Sequence, residues 1–277
     1  MAPDASDALP PVSATALGVA MVRAAESERP DRLFDDPFAS AFVAAATSTP
    51  PLVLTPAQRR RASALVDWIT VRTRFFDDLM LHACAHGCRQ VVILAAGLDA
   101  RAFRLGLAAD VRLFEIDLDG ILVFKQDVIT GNGFVPSCER FVVPADLGGP
   151  WLPALADAGF DPEVSTMWLA EGLLVYLTRQ QNETLIDDVT DLSSPGSRLG
   201  LTLSSREEGR DWDGDDLFEH ERLQRSASPG DAAGWLAPRG WSVEVHFATD
   251  RAAAYGRPAA VSGTRPQGRL VDATRLG

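Results

Sequence analysis

No apolar run in this sequence approaches the roughly 18 residues that a membrane-spanning helix needs. The start, MAPDASDALPPVSA, carries acid and proline where a secretory signal has a basic start and an apolar stretch. Three cysteines in 277 residues make no disulfide framework. These absences predict a cytoplasmic protein. Basic charge is scarce too: 26 Lys plus Arg stand against 38 Asp plus Glu, a formal net charge of −12. A surface that acidic repels phosphate backbones and anionic lipid, which argues against nucleic-acid and membrane partners. There is no internal repeat and no low-complexity tract. The hydrophobic fraction, 46%, is enough for a real core in one large domain or one elaborated domain.

The first 14 residues read as a loosely held N-terminus. TALGVAMVRAAESER then has helical spacing, with Thr15 in the place of an N-cap. A short helix is expected near Phe38 to Ala46, a loop at TSTPPLVLTP, and a long helix from Pro56 to Cys84. At Gly87 the texture changes. Short apolar runs of the kind buried on both faces follow at RQVVILAA, VRLFEID, RFVVPAD, STMWLAEG, RLGLTLS and WSVEVHF. Helical stretches lie between them, around 102–108, 118–129, 151–158 and 179–191. Such alternation predicts an α/β fold, a mostly parallel sheet with helices on both faces. Ligands of such sheets bind beyond the carboxyl ends of the strands.

Those strand ends carry the chemistry. VVILAAGLDA has the form A-x-G-x-x-A, a dinucleotide-type turn with only its middle glycine, Gly97, retained. Alanine at position 95 predicts a looser turn and a ligand without a pyrophosphate; a plain packing turn is the alternative. Asp117 follows Gly97 by 20 residues and ends the second run, placed to accept the hydroxyls of a ribose or to cap the next helix. Asp146 ends the third run, where an adenine amino group would be accepted and the Leu147 N–H could donate. Glu171 ends the fourth. Several acids with no committed base suit a cationic nucleoside, and S-adenosyl-L-methionine combines a sulfonium, a ribose and an adenine with no phosphate.

Two other features compete for attention. His82, Cys84, His86 and Cys88 alternate, but on a helix the histidines share one face and the cysteines a nearly opposite one, so no metal site is expected. The charged stretch from Ser205 to Arg225 reads as a solvated helical face or as part of a substrate cap around 205–235.

The motifs together resemble the leucine carboxyl methyltransferase-like branch of class I S-adenosylmethionine-dependent methyltransferases. The likeness runs from TALGVAMVRAAESERPDRLFDDPFA through VRTRFFDDLM, VVILAAGLDARAFRL, FEIDLD, PADL and AEGLLVYLT to AAAYGRPAA. Members usually have glycine where this chain has Ala95. The resemblance implies a Rossmann-like seven-stranded sheet with an antiparallel last strand, a helical lid over 15–86, and a core over 87–277. It implies cofactor contacts from Arg72, Gly97, Asp117, Asp146, Leu147 and Glu171. Arg72 and Tyr176 are implied as holders of an acceptor carboxylate; the alternatives are an Arg72 pair with Asp77 or Asp78 on the helix surface, and a core role for Tyr176.

A carboxylate acceptor is ionised at neutral pH and needs only positioning, whereas a hydroxyl needs a base within reach. None of the four histidines (82, 86, 220 and 246) falls in a matched motif, which favours O-methylation of a carboxylate on a small molecule or peptide. His220, in the expected cap, keeps a hydroxyl acceptor open. An NAD(P)-dependent oxidoreductase is the rival enzyme class, and Ala95 and the lack of a Tyr-x-x-x-Lys pair speak against it. A non-enzymatic binding module is the third reading, opposed by the intact acids.

Overall fold

The computed structural model describes residues 11–46, 56–203, 229–257 and 268–277. Three helices come first: α1 (Pro11–Ser27), α2 (Pro37–Ala45) and α3 (Pro56–Ala85). Then follow β1 (Gln90–Leu94), α4 (Arg101–Arg104), β2 (Arg112–Asp117), α5 (Asp119–Gly131), β3 (Glu139–Pro144), α6 (Leu152–Asp157) and β4 (Thr166–Ala170). A 3-10 turn at Leu174–Tyr176 leads to α7 (Arg179–Asp191), β5 (Arg198–Leu203), α8 (Ala232–Leu236), β6 (Trp241–Phe247), α9 (Ala248–Ala254) and β7 (Arg269–Arg275).

The seven strands form one sheet in the order β3-β2-β1-β4-β5-β7-β6. All neighbours pair in parallel except β7, which is antiparallel to β5 and β6. The order reverses at β1, between β2 and β4, and this opens a crevice at the carboxyl ends. Central strands β1 and β4 are buried along their whole length, as continuous apolar runs should be. One face carries Leu94, Ile116, Trp168 and Leu201 against Ile186 of α7. The other carries Ile93, Leu113 and Met167 against Phe76 and Met80 of α3. Gly200, in the middle of β5, admits α3: a Cβ there would lie 3.0 Å from Leu79 Cδ2 and 3.1 Å from Phe76 Cδ1.

Helices α1 and α2 pack on the turn after β1 and on α5, through Ala20, Ala39 and Phe42 against Leu98, Ala100 and Ile121. Asp36 starts α2, its Oδ1 accepting from the Ala39 N–H at 3.1 Å with Pro37 in the first turn. The lid segment is therefore docked on the core.

Several local expectations change. Helix α1 begins at Pro11, so Thr15 lies inside it and is not its N-cap. Helix α4 is one turn long, because Gly106 takes φ +61 soon after it. Strands β3 and β6 are sheet edges and are largely exposed. Strand β7, whose Arg269, Asp272 and Arg275 break any apolar run, was legible only through the family resemblance. The charged stretch 205–225, with His220, lies outside the described residues. At the far end of the expected cap, α8 packs into the core through Trp235 and Leu236, and Trp235 Nε1 donates to Glu183 of α7 at 2.9 Å.

Candidate active site

The turn after β1 makes the floor of the crevice. Ala95 takes φ +56, a left-handed conformation that costs a side-chain-bearing residue about 1–2 kcal/mol. The turn has the backbone shape of a glycine turn, not the looser one expected from alanine. Gly97 takes φ +47, and a Cβ on it would lie 3.2 Å from the Ala16 Cβ of α1. Glycine at 97 is needed for both backbone shape and close approach.

Asp117 closes over this turn from the end of β2. Its Oδ2 accepts from the Gly97 N–H at 2.6 Å and its Oδ1 from the Leu118 N–H at 2.7 Å. Each oxygen keeps further acceptor capacity. The side chain is buried, and burial raises its pKa above the ordinary range despite the two amides. No salt bridge among the described residues joins it to a cation.

A cavity opens above these groups. Arg72, Gly97, Asp117, Glu171 and Tyr176 all line it, from four separate stretches of chain. Helix α1 adds Ala16, Val19 and Arg23, and Asp99 contributes from the turn. Arg23 and Asp99 were missed from the sequence: arginine on an amphipathic helix and aspartate in a turn carry no distinctive signal. Asp146 and Leu147 stay outside the lining. Asp146 is exposed at the end of β3, where its Oδ1 accepts from the Gly148 N–H at 2.8 Å, and the Leu147 side chain is buried in the core.

Of the cavity's acids, Glu171 and Asp99 are committed to cations. Glu171 Oε1 accepts from Arg72 Nε at 2.8 Å, and Oε2 pairs with Arg101 at 2.9 Å. Arg101 also pairs with Asp99 and with Asp77, the latter at 2.7 Å. Asp77 takes Arg104 at 2.6 Å, while Arg23 pairs with Asp36 at 3.0 Å and donates to the Leu98 carbonyl at 2.5 Å. Four arginines and four acids balance, and they bolt α1, α2 and α3 to the core. Burial alone would raise Asp99, but Arg101, Arg23, Lys125 and Arg104 hold it at about 2. Burial is likewise overridden at Glu171 by Arg101 and Arg72, which leave its pKa lowered.

Arg72 therefore crosses from α3 to the end of β4. The helix-surface pairing with Asp77 or Asp78 does not occur: Asp77 serves Arg101 and Arg104, and Asp78 takes Arg74 at 2.8 Å. The Arg72 guanidinium lies over Gly172, whose φ is +73 and whose Cβ would stand 3.1 Å from Nη1. Nη1 and Nη2 have no acceptor among the described residues.

His82 and His86 are exposed at the end of α3, their rings tilted by 31° with centroids 4.0 Å apart, while Cys88 is buried and Cys84 half-buried. Burial pushes the Cys84 thiol up to about 12. The two pairs face different surroundings, and Cys84 packs as a small apolar group.

The family model for leucine carboxyl methyltransferase matches residues 16–190. A Streptomyces coelicolor protein, provisionally named an S-adenosyl-L-methionine-dependent methyltransferase, is 46% identical over 95% of each chain. A relative from Parafrankia with the same provisional name is 47% identical over 89% of this chain and 82% of its own. Among solved structures, a DUF574-family protein from Streptomyces avermitilis shares the fold with a TM-score of 0.60 at 13% identity, covering 94% of this chain and 97% of its own. The oxidoreductase and the non-enzymatic alternatives give way to this match: the chain belongs to the leucine carboxyl methyltransferase family of S-adenosyl-L-methionine-dependent methyltransferases.

Proposed function

We propose that this methyltransferase methylates a carboxylate oxygen on a small molecule or peptide, giving a methyl ester. The observation that carries the reading is Arg72. Its Nε is fixed on Glu171, the residue lines the cavity, and Nη1 and Nη2 have no protein acceptor among the described residues. A guanidinium presented in this way matches a carboxylate through charge-assisted hydrogen bonds.

The lining fits the cofactor. Asp117, buried and without a cation, is an acceptor for a ribose diol, and Leu118 and Ile121 beside it offer apolar surface for a base. When bound, S-adenosyl-L-methionine supplies an electrophilic methyl group on a positively charged sulfur. The protein's contribution is alignment and exclusion of water. Arg72 and Tyr176 hold the acceptor, while Ala16 and Val19 of α1 cover the cavity with apolar surface. A carboxylate arrives ionised, so no proton has to be removed. None of the described histidines lines the cavity, which accords with a reaction needing no base.

The test uses cofactor labelled in the methyl group with a panel of carboxylic acids and alcohols. Label released as methanol by mild base identifies an ester. Base-stable label identifies an ether and refutes the proposal.

A further inference from the structure

Of the chain's 26 basic residues only one is a lysine, Lys125. It is also fully buried. It sits on α5, with Nζ 2.7 Å from Glu115 Oε2 of β2. Arg140 of β3 reaches the same oxygen at 2.8 Å, and Glu115 Oε1 is buried without a partner. One carboxylate thus faces two basic groups; burial lowers the Lys125 pKa while Glu115 supports its charge, and with both basic groups protonated the cluster carries one surplus positive charge in the interior. Two residues along β2, on the same side of the strand and roughly 7 Å away, stands Asp117. Asp117 is the cavity acid without a paired cation. We propose that the surplus charge of the Lys125–Glu115–Arg140 cluster keeps Asp117 ionised, with Lys125 as a positioning residue for the cofactor site.

The other charges around Asp117 are committed elsewhere. Asp99, on the β1 turn, is paired with Arg101 of α4 and also feels Lys125, and Arg23 of α1 is engaged with Asp36 and Leu98. Asp119, at the start of α5, is exposed. That leaves the amides of Gly97 and Leu118, which touch Asp117, and the cluster behind it. Lys125 lowers the Asp117 pKa and Glu115 raises it, while burial raises it most. An ammonium suits this place because it is a compact point charge, whereas every other basic position of the chain has the broader guanidinium.

The inference rests on Asp117 being the acid that binds the cofactor's ribose, and the experiment separates the two. Affinity for S-adenosylhomocysteine is measured by calorimetry from about pH 4 to 9, with Asp117→Asn as control. Lys125→Met, which neutralises the cluster, should raise the midpoint of the affinity profile by about one pH unit, as expected for one charge at roughly 10 Å in a screened interior. Glu115→Gln doubles the surplus and should lower it by a similar amount. The double variant restores the original surplus and should return the midpoint to that of the parent. This sign pattern does not follow from a loss of packing, and Glu115→Gln carries the test if Lys125→Met fails to fold. Equal midpoints, or shifts in the same direction, overturn the proposal. A pH step that survives in Asp117→Asn overturns the reading of Asp117 instead. Labelling with 15Nζ-lysine yields a single side-chain signal, and a neutral amine at pH 7 also overturns the proposal.

Discussion

Arg72 and Glu171 stand 99 positions apart in sequence and 2.8 Å apart in the fold, Nε to Oε1. One side of the guanidinium is spent on this contact, and the rest lies beside Gly172 at the cavity wall. A lysine at position 72 can hold Glu171 or an acceptor, but it cannot present a fork to both.

Arg72→Lys should therefore lower kcat/KM for the acceptor by roughly 10- to 150-fold, the equivalent of about 1.5–3 kcal/mol for a charged hydrogen bond. Steady-state kinetics at saturating cofactor provide the check. Unchanged kinetics would remove Arg72 from acceptor binding.

Asp117→Ala should weaken S-adenosylhomocysteine binding by roughly 10- to 150-fold, because two ribose hydroxyls lose a charged acceptor. Calorimetry beside thermal unfolding distinguishes the roles. A variant that melts early yet binds normally would make Asp117 a cap for Gly97 and Leu118 only.

At Ala95 the strain is local. Glycine removes the left-handed penalty of about 1–2 kcal/mol but gives back some 0.5–1 kcal/mol of chain entropy. Ala95→Gly should thus be neutral or stabilise by up to about 1.5 kcal/mol, and Ala95→Val should destabilise by more than about 1 kcal/mol. Denaturant unfolding of the two variants tests the sign. A destabilising glycine would mean that Ala95 is unstrained.

Asp99 gives the fold an acid limit. Its pKa of about 2 lies below the ordinary 3.8, so the folded state favours the ionised form. The resulting stability, about 2 kcal/mol, is fully present above pH 4 and is lost as pH falls through about 2. Arg101→Met removes the main cation and should move acid unfolding to higher pH, alongside a general loss of about 3–5 kcal/mol. An acid transition at the same pH in both proteins, once corrected for overall stability, would contradict this.

The sequence by itself determined the alternation of β1 to β5 with helices, because buried parallel strands write continuous apolar runs and the helices between them keep a period near 3.6; β7, interrupted by Arg269, Asp272 and Arg275, writes no such run. It also marked Gly97, Asp117 and Glu171, since strand ends are where chain direction and ligand chemistry coincide. It could not show that Arg72 leaves its own helix to meet Glu171, or that Arg23 and Asp99 join the same cavity. Helical spacing describes neighbours three and four residues away and says nothing of partners 75 or 99 positions distant. Nor could it separate Asp146 from Asp117. Both end strands with the same residue type, yet β3 is the sheet edge, where Asp146 meets solvent, while β2 borders the reversal of strand order, where Asp117 is enclosed. Burial and pairing are properties of the assembled sheet, and it was the assembly that enclosed one aspartate in the cavity and left the other open to solvent.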